Sequence, residues 1–288
     1  MRRLPIKRVL ILDGDPFAWK AAVAHEKQID WGDGIYTAHT NINDAIKSAI
    51  KQIDKIAEKL NAEVVFCWSD PSGYFRNELG DYKGGRKESI RPLCLEDIKE
   101  GLAEHYESFM RPKLEGDDII GILMTEPRYK QGYEKIAVSI DKDIQTIPGL
   151  FFNPDKDASP RLITEQDADN FFYAQCIAGD ITDGYFGAPN FGMGTAQRLL
   201  KEMKKVELYE HTLTRGKRKG ETELRRREVS CGDPWEIVLS TYSVNNLSEE
   251  VALLNARMAR ILRASDWDNE KKEVILWTPQ KQKEEKAA

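Results

Sequence analysis

The sequence predicts an α/β fold, a mainly parallel sheet flanked by helices, joined to a second and largely helical region. Three observations carry that reading. Short β-prone apolar runs alternate with stretches of helical period, and each run ends abruptly in an acid. Beyond Pro154 the alternation gives way to helices around a Gly-rich stretch.

The first run, Val9-Leu10-Ile11-Leu12, stops at Asp13-Gly14-Asp15-Pro16, which reads as a buried strand with carboxylates at its carboxyl end. Open α/β sheets keep their sites at that end. From Asn43 to Leu60, apolar Ile46, Ala49, Ile50, Ile53, Ile56, Ala57 and Leu60 recur at helical spacing, with Asn41 or Asn43 as the cap. A second strand spans Glu63 to Trp68 and leads to Asp70. Residues 71–92 lack an apolar period and are rich in Gly, basic residues and tyrosine, so they read as a long mobile loop or arch. A helix over Leu95 to Met110 follows, then an apolar helix opening at Glu115-Gly116-Asp117-Asp118. A third strand over Lys135 to Ile140, ending at Asp141-Lys142-Asp143, completes the expected core. Further helices are expected at about 165–178, 195–210, 234–243 and 247–263, with an exposed charged hairpin or loop at 213–227 and a frayed tail beyond Thr278. The expected organisation is a core over 1–178, carrying the 71–92 arch, and a second region over 179–288.

Composition narrows the function classes. The 288 residues are 41% apolar, enough for a sizeable core, and no apolar run approaches the ~18 residues that span a bilayer. The basic start (Arg2, Arg3, Lys7, Arg8) precedes an apolar stretch of only Val9 to Leu12, too short for a secretion signal. Cys67, Cys94, Cys176 and Cys231 lack the spacing that closes around zinc, so free thiols in a cytoplasmic setting, with no membrane partner, are expected.

The acids form the strongest pattern. Strand ends deliver Asp13, Asp70, Asp141 and Asp143, a helix start delivers Glu115, Asp117 and Asp118, and the Gly-rich stretch delivers Asp180 and Asp183. Each alone is an ordinary helix cap or turn former. In a parallel sheet they converge on one edge, where so much negative charge repels itself strongly without bound cations. All-oxygen donors without His or Cys select hard cations such as Mg²⁺ or Mn²⁺. Two such ions about 3.5–4 Å apart can activate a water, brace phosphoryl oxygens and stabilise the leaving oxygen of an in-line displacement. That is nuclease or phosphatase chemistry.

The runs Glu115-Gly116-Asp117-Asp118, Ser139-Ile140-Asp141-Lys142-Asp143 and Gly179-Asp180-Ile181-Thr182-Asp183-Gly184 resemble, in order and spacing, the 5′-nuclease (flap endonuclease) superfamily. Through Gly179 to Tyr185, Asp233-Pro234-Trp235-Glu236 and Ala256 to Ala264, the chain is similar to the 5′→3′ exonucleases of short-tailed phages, over about residues 8–277. The resemblance implies a PIN/5′-nuclease-like core with a helix–hairpin–helix DNA-binding region. It implies a two-metal 5′→3′ exodeoxyribonuclease acting on double-stranded DNA with 5′ ends, on flaps and on the RNA of RNA–DNA hybrids. The implied role is phage DNA replication, recombination and host-DNA breakdown, in the host cytoplasm.

Residue by residue, the resemblance implies a first metal on Asp13, Asp70, Glu115 and Asp117 and a second on Asp141, Asp143, Asp180 and Asp183. Asp118 would sit between them or just behind, with Mg²⁺ as the ion and Mn²⁺ as a substitute. Lys83 and Arg86 correspond to basic arch residues facing the scissile phosphate, with Arg76 similarly placed, where positive charge stabilises the transition state. Gly184 to Ala196 resembles a loop that holds duplex DNA. Gly192, Gly194 and Thr195 at a helix start would receive a phosphate, with K⁺ nearby. The family's Lys between the last Gly and Thr-Ala is missing, so Arg198 or Lys201 must supply that charge. Tyr82, with Tyr74 and Phe75, is placed to stack an unpaired end base.

Two other readings stay open on the residues. Leu10 to Asp15 also fits the D-x-D strand end of haloacid-dehalogenase-like phosphatases, with Asp13 as nucleophile and Asp15 as acid/base, although Phe17 stands where that family has Thr or Val. A DNA-binding relative that has lost its metals would share the loop. The net charge, −5 from 43 basic and 48 acidic residues, argues mildly against a nucleic-acid partner. Setting aside the nine site acids leaves 39, so the rest of the chain is about +4 and reads as a basic surface masked by an acidic pocket.

Overall fold

The computed structural model describes residues 6–85 and 91–282. They divide into two compact units: the described residues of 1–75, 86–165 and 261–275 form the first, and those of 76–85, 166–260 and 276–288 the second. The break therefore falls near 165 rather than 178. Residues 76–85 of the expected arch belong with the second unit, and 261–275 return to the first.

The first unit runs β1 (Arg8–Asp13), α1 (Gly14–His25), a separate hairpin of β2 (Lys27–Asp30) and β3 (Tyr36–His39), α2 (Ile42–Leu60), β4 (Glu63–Trp68), α3 (Leu95–His105), β5 (Glu107–Met110), α4 (Gly116–Thr125), β6 (Glu134–Val138), β7 (Gly149–Phe152) and β8 (Arg161–Ile163). The main sheet has the order β5-β4-β1-β6-β7-β8, parallel except for the edge strand β8. Leu10, Leu12, Phe66, Trp68, Ile136 and Val138 share one core cluster with residues of α1, α2 and α3. The alternate residues Val9, Ile11, Val65, Cys67 and Ala137 are buried as well, and α4 packs against β1, β4 and β6. Burial on both faces is why these strands read as continuous apolar runs rather than alternating ones.

Asn41 caps α2 by accepting the Asp44 N–H. The expected helix over Leu95 to Met110 stops at His105. Tyr106 is extended, and Glu107–Met110 pairs with β4 as an edge strand instead.

The second unit holds α5 (Glu165–Ala178) from its second residue on, α6 (Met193–Lys201), β9 (Lys204–Thr212), β10 (Thr222–Ser230), α7 (Pro234–Ser243) and α8 (Glu249–Ala259). The helix expected to reach 210 ends at Lys201, because Met203 adopts a left-handed φ of 49° and the chain leaves as β9. β9 and β10 pair antiparallel, which settles 213–227 as part of a hairpin. The tail is packed to Gln282, whose Oε1 accepts from the Tyr173 hydroxyl at 3.1 Å and the Trp277 indole at 2.9 Å; residues 283–288 lie outside the described residues. Among the described residues no helix is long and apolar enough to cross a membrane, and the four cysteines are unpaired.

Gly121 in α4 tests this packing. A Cβ there would lie 2.1 Å from the Leu262 carbonyl oxygen. In a helix interior Ala is ordinarily better than Gly by about 1 kcal/mol. The clash with backbone reverses the sign, and Gly121→Ala should cost about 1–3 kcal/mol, read as a lower urea midpoint.

Candidate active site

The carboxyl ends of β1, β4, β5 and β6 lie along one edge of the sheet. Strand order reverses between β1 and β6, the crevice where open α/β sheets bind ligands. Asp13 closes β1 and is almost wholly buried. Ser139, just past β6, donates its hydroxyl to Asp13 Oδ2 at 3.0 Å and accepts the Asp141 N–H at 3.0 Å. One hydroxyl thus ties the β1 acid to the acid motif after β6 across the switch point.

Glycines bring the neighbouring elements in. Gly116 opens α4 where a Cβ would stand 3.1 Å from the Cys67 carbonyl oxygen and 3.4 Å from Asp13 Oδ1, and its N–H donates to Ser69 Oγ at 3.0 Å. The positive end of α4 is thereby set beside Asp13. Gly14 gives way to the Trp68 ring, which a Cβ would strike at 2.4 Å. Burial pushes the Cys67 thiol well up, and the carboxylates of Asp13 and Asp117 push it further, so both acids act on one point.

Several predicted ligands are already engaged. Asp70 accepts from the Lys113 N–H at 2.7 Å and from the Ser72 N–H and hydroxyl. Burial alone would raise its pKa, but these donors hold it below the ordinary carboxylate value. Glu115 and Asp118 close a capping box on α4. Asp118 is 0% exposed, and its two oxygens accept the N–H groups of Glu115 at 3.2 Å and Leu262 at 3.1 Å. Of its two expected places, between the metals or just behind, these bonds favour the second: it fastens the start of α4 to segment 261–275. Asp141 Oδ1 accepts the Asp143 N–H at 2.9 Å and opens the 3₁₀ turn Lys142–Thr146. Asp15 is ion-paired to Lys99 at 2.7 Å and accepts the Ser69 N–H at 3.1 Å, which leaves it poorly placed as a phosphatase acid/base. Among the described residues no three His, Cys, Asp or Glu side chains are grouped so as to hold a metal ion. The donors are nevertheless all carboxylate oxygens, the chemistry a hard cation takes.

In the second unit, segment 81–85 docks on the loop that carries Asp180 and Asp183. Lys83, at a left-handed φ of 54°, donates its N–H to the Asp183 carbonyl at 3.1 Å. Its ammonium lies 3.9 Å from Asp183 Oδ2, and the Tyr82 hydroxyl donates to the same oxygen at 3.4 Å. Gly184, at a φ of +87°, permits the approach, since a Cβ would meet the Asp81 carbonyl oxygen at 2.3 Å. Asp180 is fixed by the Thr182 N–H and by a two-way backbone bridge to Tyr185.

Two expectations are corrected here. Arg76, 2% exposed, donates to the carbonyl oxygens of Met258 and Arg260, so it fastens the chain rather than facing a phosphate. Tyr82, 6% exposed and set against the Arg76 and Lys83 cations, is too enclosed to stack a base. Arg86 lies outside the described residues.

Gly192 caps α6 from an exposed position, and Gly194 and Thr195 are exposed in its first turns. Arg198 and Lys201 stand in the last turn instead, away from that end. Arg198 is bound by both oxygens of Glu228, so its charge is met within the chain, whereas Lys201 is exposed. Sequence reasoning missed the roles of Ser139, Ser69 and Lys113. Ser139 and Ser69 stand beside strand-end acids, the one available signal.

Residues 8–149 match the family model described as 5′–3′ exonuclease, N-terminal resolvase-like domain. The chain is 31% identical over 284 residues to the exodeoxyribonuclease of Enterobacteria phage T3, covering 95% of this chain and 93% of that one. It is 30% identical over 284 residues to the exonuclease of Escherichia phage T7, covering 95% and 94%. In fold it is similar to T5 5′-exonuclease solved with bound zinc, with a TM-score of 0.57 and 15% identity over 88% of this chain and 89% of that one.

Two measurements check the assignments of Arg76 and Asp70. Arg76→Gln should cost about 1–3 kcal/mol by leaving buried carbonyls short of donors, seen as a lower Tm. A phosphate-facing Arg76 would instead lose kcat at unchanged Tm. Because the folded pKa of Asp70 lies below its ordinary 3.8, its stabilisation is present above that value and lost as pH falls through the lower folded one. In metal-free buffer Asp70→Asn should be less stable than wild type at about pH 7, and the two should converge near about pH 2.

Proposed function

The chain belongs to the 5′–3′ exonuclease family, and from that premise we propose that its acidic sheet edge hydrolyses phosphodiesters at the 5′ ends of duplex DNA with two divalent cations. The observation that carries the reading is the Ser139 bridge between Asp13 and Asp141 at the β1/β6 switch point, beside the start of α4. A nuclease needs carboxylates there that are held but not neutralised. Ser139 holds Asp13 with a hydroxyl.

Asp13, Asp70, Glu115 and Asp117 would hold one cation, and Asp141 and Asp143 would contribute to a second. Asp180 and Asp183 are kept as further ligands on the resemblance alone. Divalent cations bound to these oxygens supply Lewis acidity toward a phosphoryl oxygen and acidify an attacking water. The chain's own part is to orient. Ser139 fixes the carboxylate plane of Asp13, and Gly116 keeps the first turn of α4 free of side-chain bulk beside it. The N-terminal end of α4, set beside Asp13, favours anionic groups at this edge. Lys83, held in place by its backbone bond to Asp183, is the cation proposed to meet the phosphate. Mg²⁺ is the proposed ion, with Mn²⁺ in its place, K⁺ at the Gly192–Gly194 loop, and flaps and RNA–DNA hybrids as further substrates in the cytoplasm.

Release of label from a 5′-labelled duplex tests the reading. Chelation by EDTA should abolish release and added Mg²⁺ restore it. Asp13→Asn and Asp141→Asn should each lower the rate by roughly 100-fold or more at near-unchanged Tm. Unchanged rates in both variants would remove the assignment.

A further inference from the structure

Beyond its base on α7, the β9–β10 hairpin serves no core. Val206 is buried and its N–H donates to the Ser240 hydroxyl at 3.0 Å, but from Glu207 to Val229 no residue is buried. Glu207 and Leu208 still lie against α7, and from Tyr209 on four residues of β9 run on for about 13 Å as a two-stranded arm, a form that is marginal by itself in water. Its tip is a built turn rather than a slack loop. Leu213 and Glu221 are joined by an N–H···O bond of 2.9 Å, Gly220 donates to Leu213 at 2.8 Å, and Lys219 donates to Gly216 at 3.2 Å. Gly216 and Gly220 supply the left-handed φ of 86° and 92° that the turn requires.

The charge on the arm is sorted. Residues 213–227 carry a net +5 in a chain whose total is −5. Glu221 and Glu223 are taken by Arg218 and Arg225, and Glu207 at the base by Arg227. Glu210, lower on the arm, has no cation partner among the described residues. At the tip Arg215, Lys217 and Lys219 are exposed and have no anionic partner among the described residues. Three unmatched cations within five residues repel one another, a cost that only a polyanion or counterions offset.

We propose that this arm is a separate contact for duplex DNA, its tip cations engaging backbone phosphates. A two-stranded ribbon is of a size the major groove admits, and backbone contacts of this kind set register and affinity without reading sequence. The proposal rests on the nuclease reading for the identity of the polyanion.

The test is a triple variant, Arg215→Ser, Lys217→Ser and Lys219→Ser, at exposed positions where no folding cost is expected. A matching Tm confirms that. The Kd for a duplex of about 30 base pairs is measured in EDTA across a range of salt concentrations. Each lost phosphate contact removes about 0.9 from the slope of log affinity against log salt, so the slope should become shallower by about 2–3 and affinity at low salt should fall about 10-fold or more. An unchanged slope and affinity overturn the proposal, and if wild type still cuts 5′-labelled duplex, the nuclease reading stands without it. Wild type that neither binds nor cuts DNA fails the nuclease reading itself.

Discussion

Carboxylates crowded onto one edge of a parallel sheet are the constraint on which the first unit depends. Two unit charges 4 Å apart repel by about 4 kcal/mol at an effective dielectric near 20, against a whole-domain stability of about 5–15 kcal/mol. The edge is tolerable in part because several of its acids have neutral donors. Asp13 takes the Ser139 hydroxyl, Asp70 the N–H groups of Ser72 and Lys113, Asp118 those of Glu115 and Leu262, and Asp141 that of Asp143. Neutral donors hold an acid in place while leaving its charge available to a cation. Asp15, ion-paired to Lys99, is by the same logic withdrawn from such chemistry.

The second unit meets the problem differently. Asp183 has an ammonium and a phenol beside it, and the backbone of Lys83 is bonded to the backbone of Asp183, so the pair is fixed by main chain before charge is considered. A lysine held at positive φ costs conformational energy. The approach of Gly184 to Asp81 is what makes that geometry reachable.

Much of the fold was legible because burial on two faces leaves an unmistakable apolar run: β1, β4 and β6 lie where Val9–Leu12, Glu63–Trp68 and Lys135–Ile140 indicated. Short edge elements were not. Glu107–Met110 continues a helical stretch in sequence and becomes a strand only through pairing with β4, and Lys204–Thr212 lost its helical reading to a turn at Met203. In the site, residue types spoke for the acids and said nothing of their partners. Whether Arg76 meets a phosphate or the carbonyls of Met258 and Arg260 depends on contacts more than 180 positions away in the chain, which no local pattern encodes.

Glycines sort the molecule into what the fold explains and what it does not. Gly14, Gly121 and Gly184 are each required by an atom a Cβ would strike, Gly116 sits where a Cβ would be tight, and Gly216 and Gly220 are required by their torsions. Gly192 and Gly194 have neither reason: space around both is open and neither has a positive φ. Gly194 even weakens α6, since glycine inside a helix costs about 1 kcal/mol relative to alanine. Two such residues together at an exposed helix start leave its backbone open to approach from outside the chain. The phosphate contact proposed for Gly192 and Gly194 would use that opening, and it would not require the side chains of Arg198 or Lys201 at the far end of the helix.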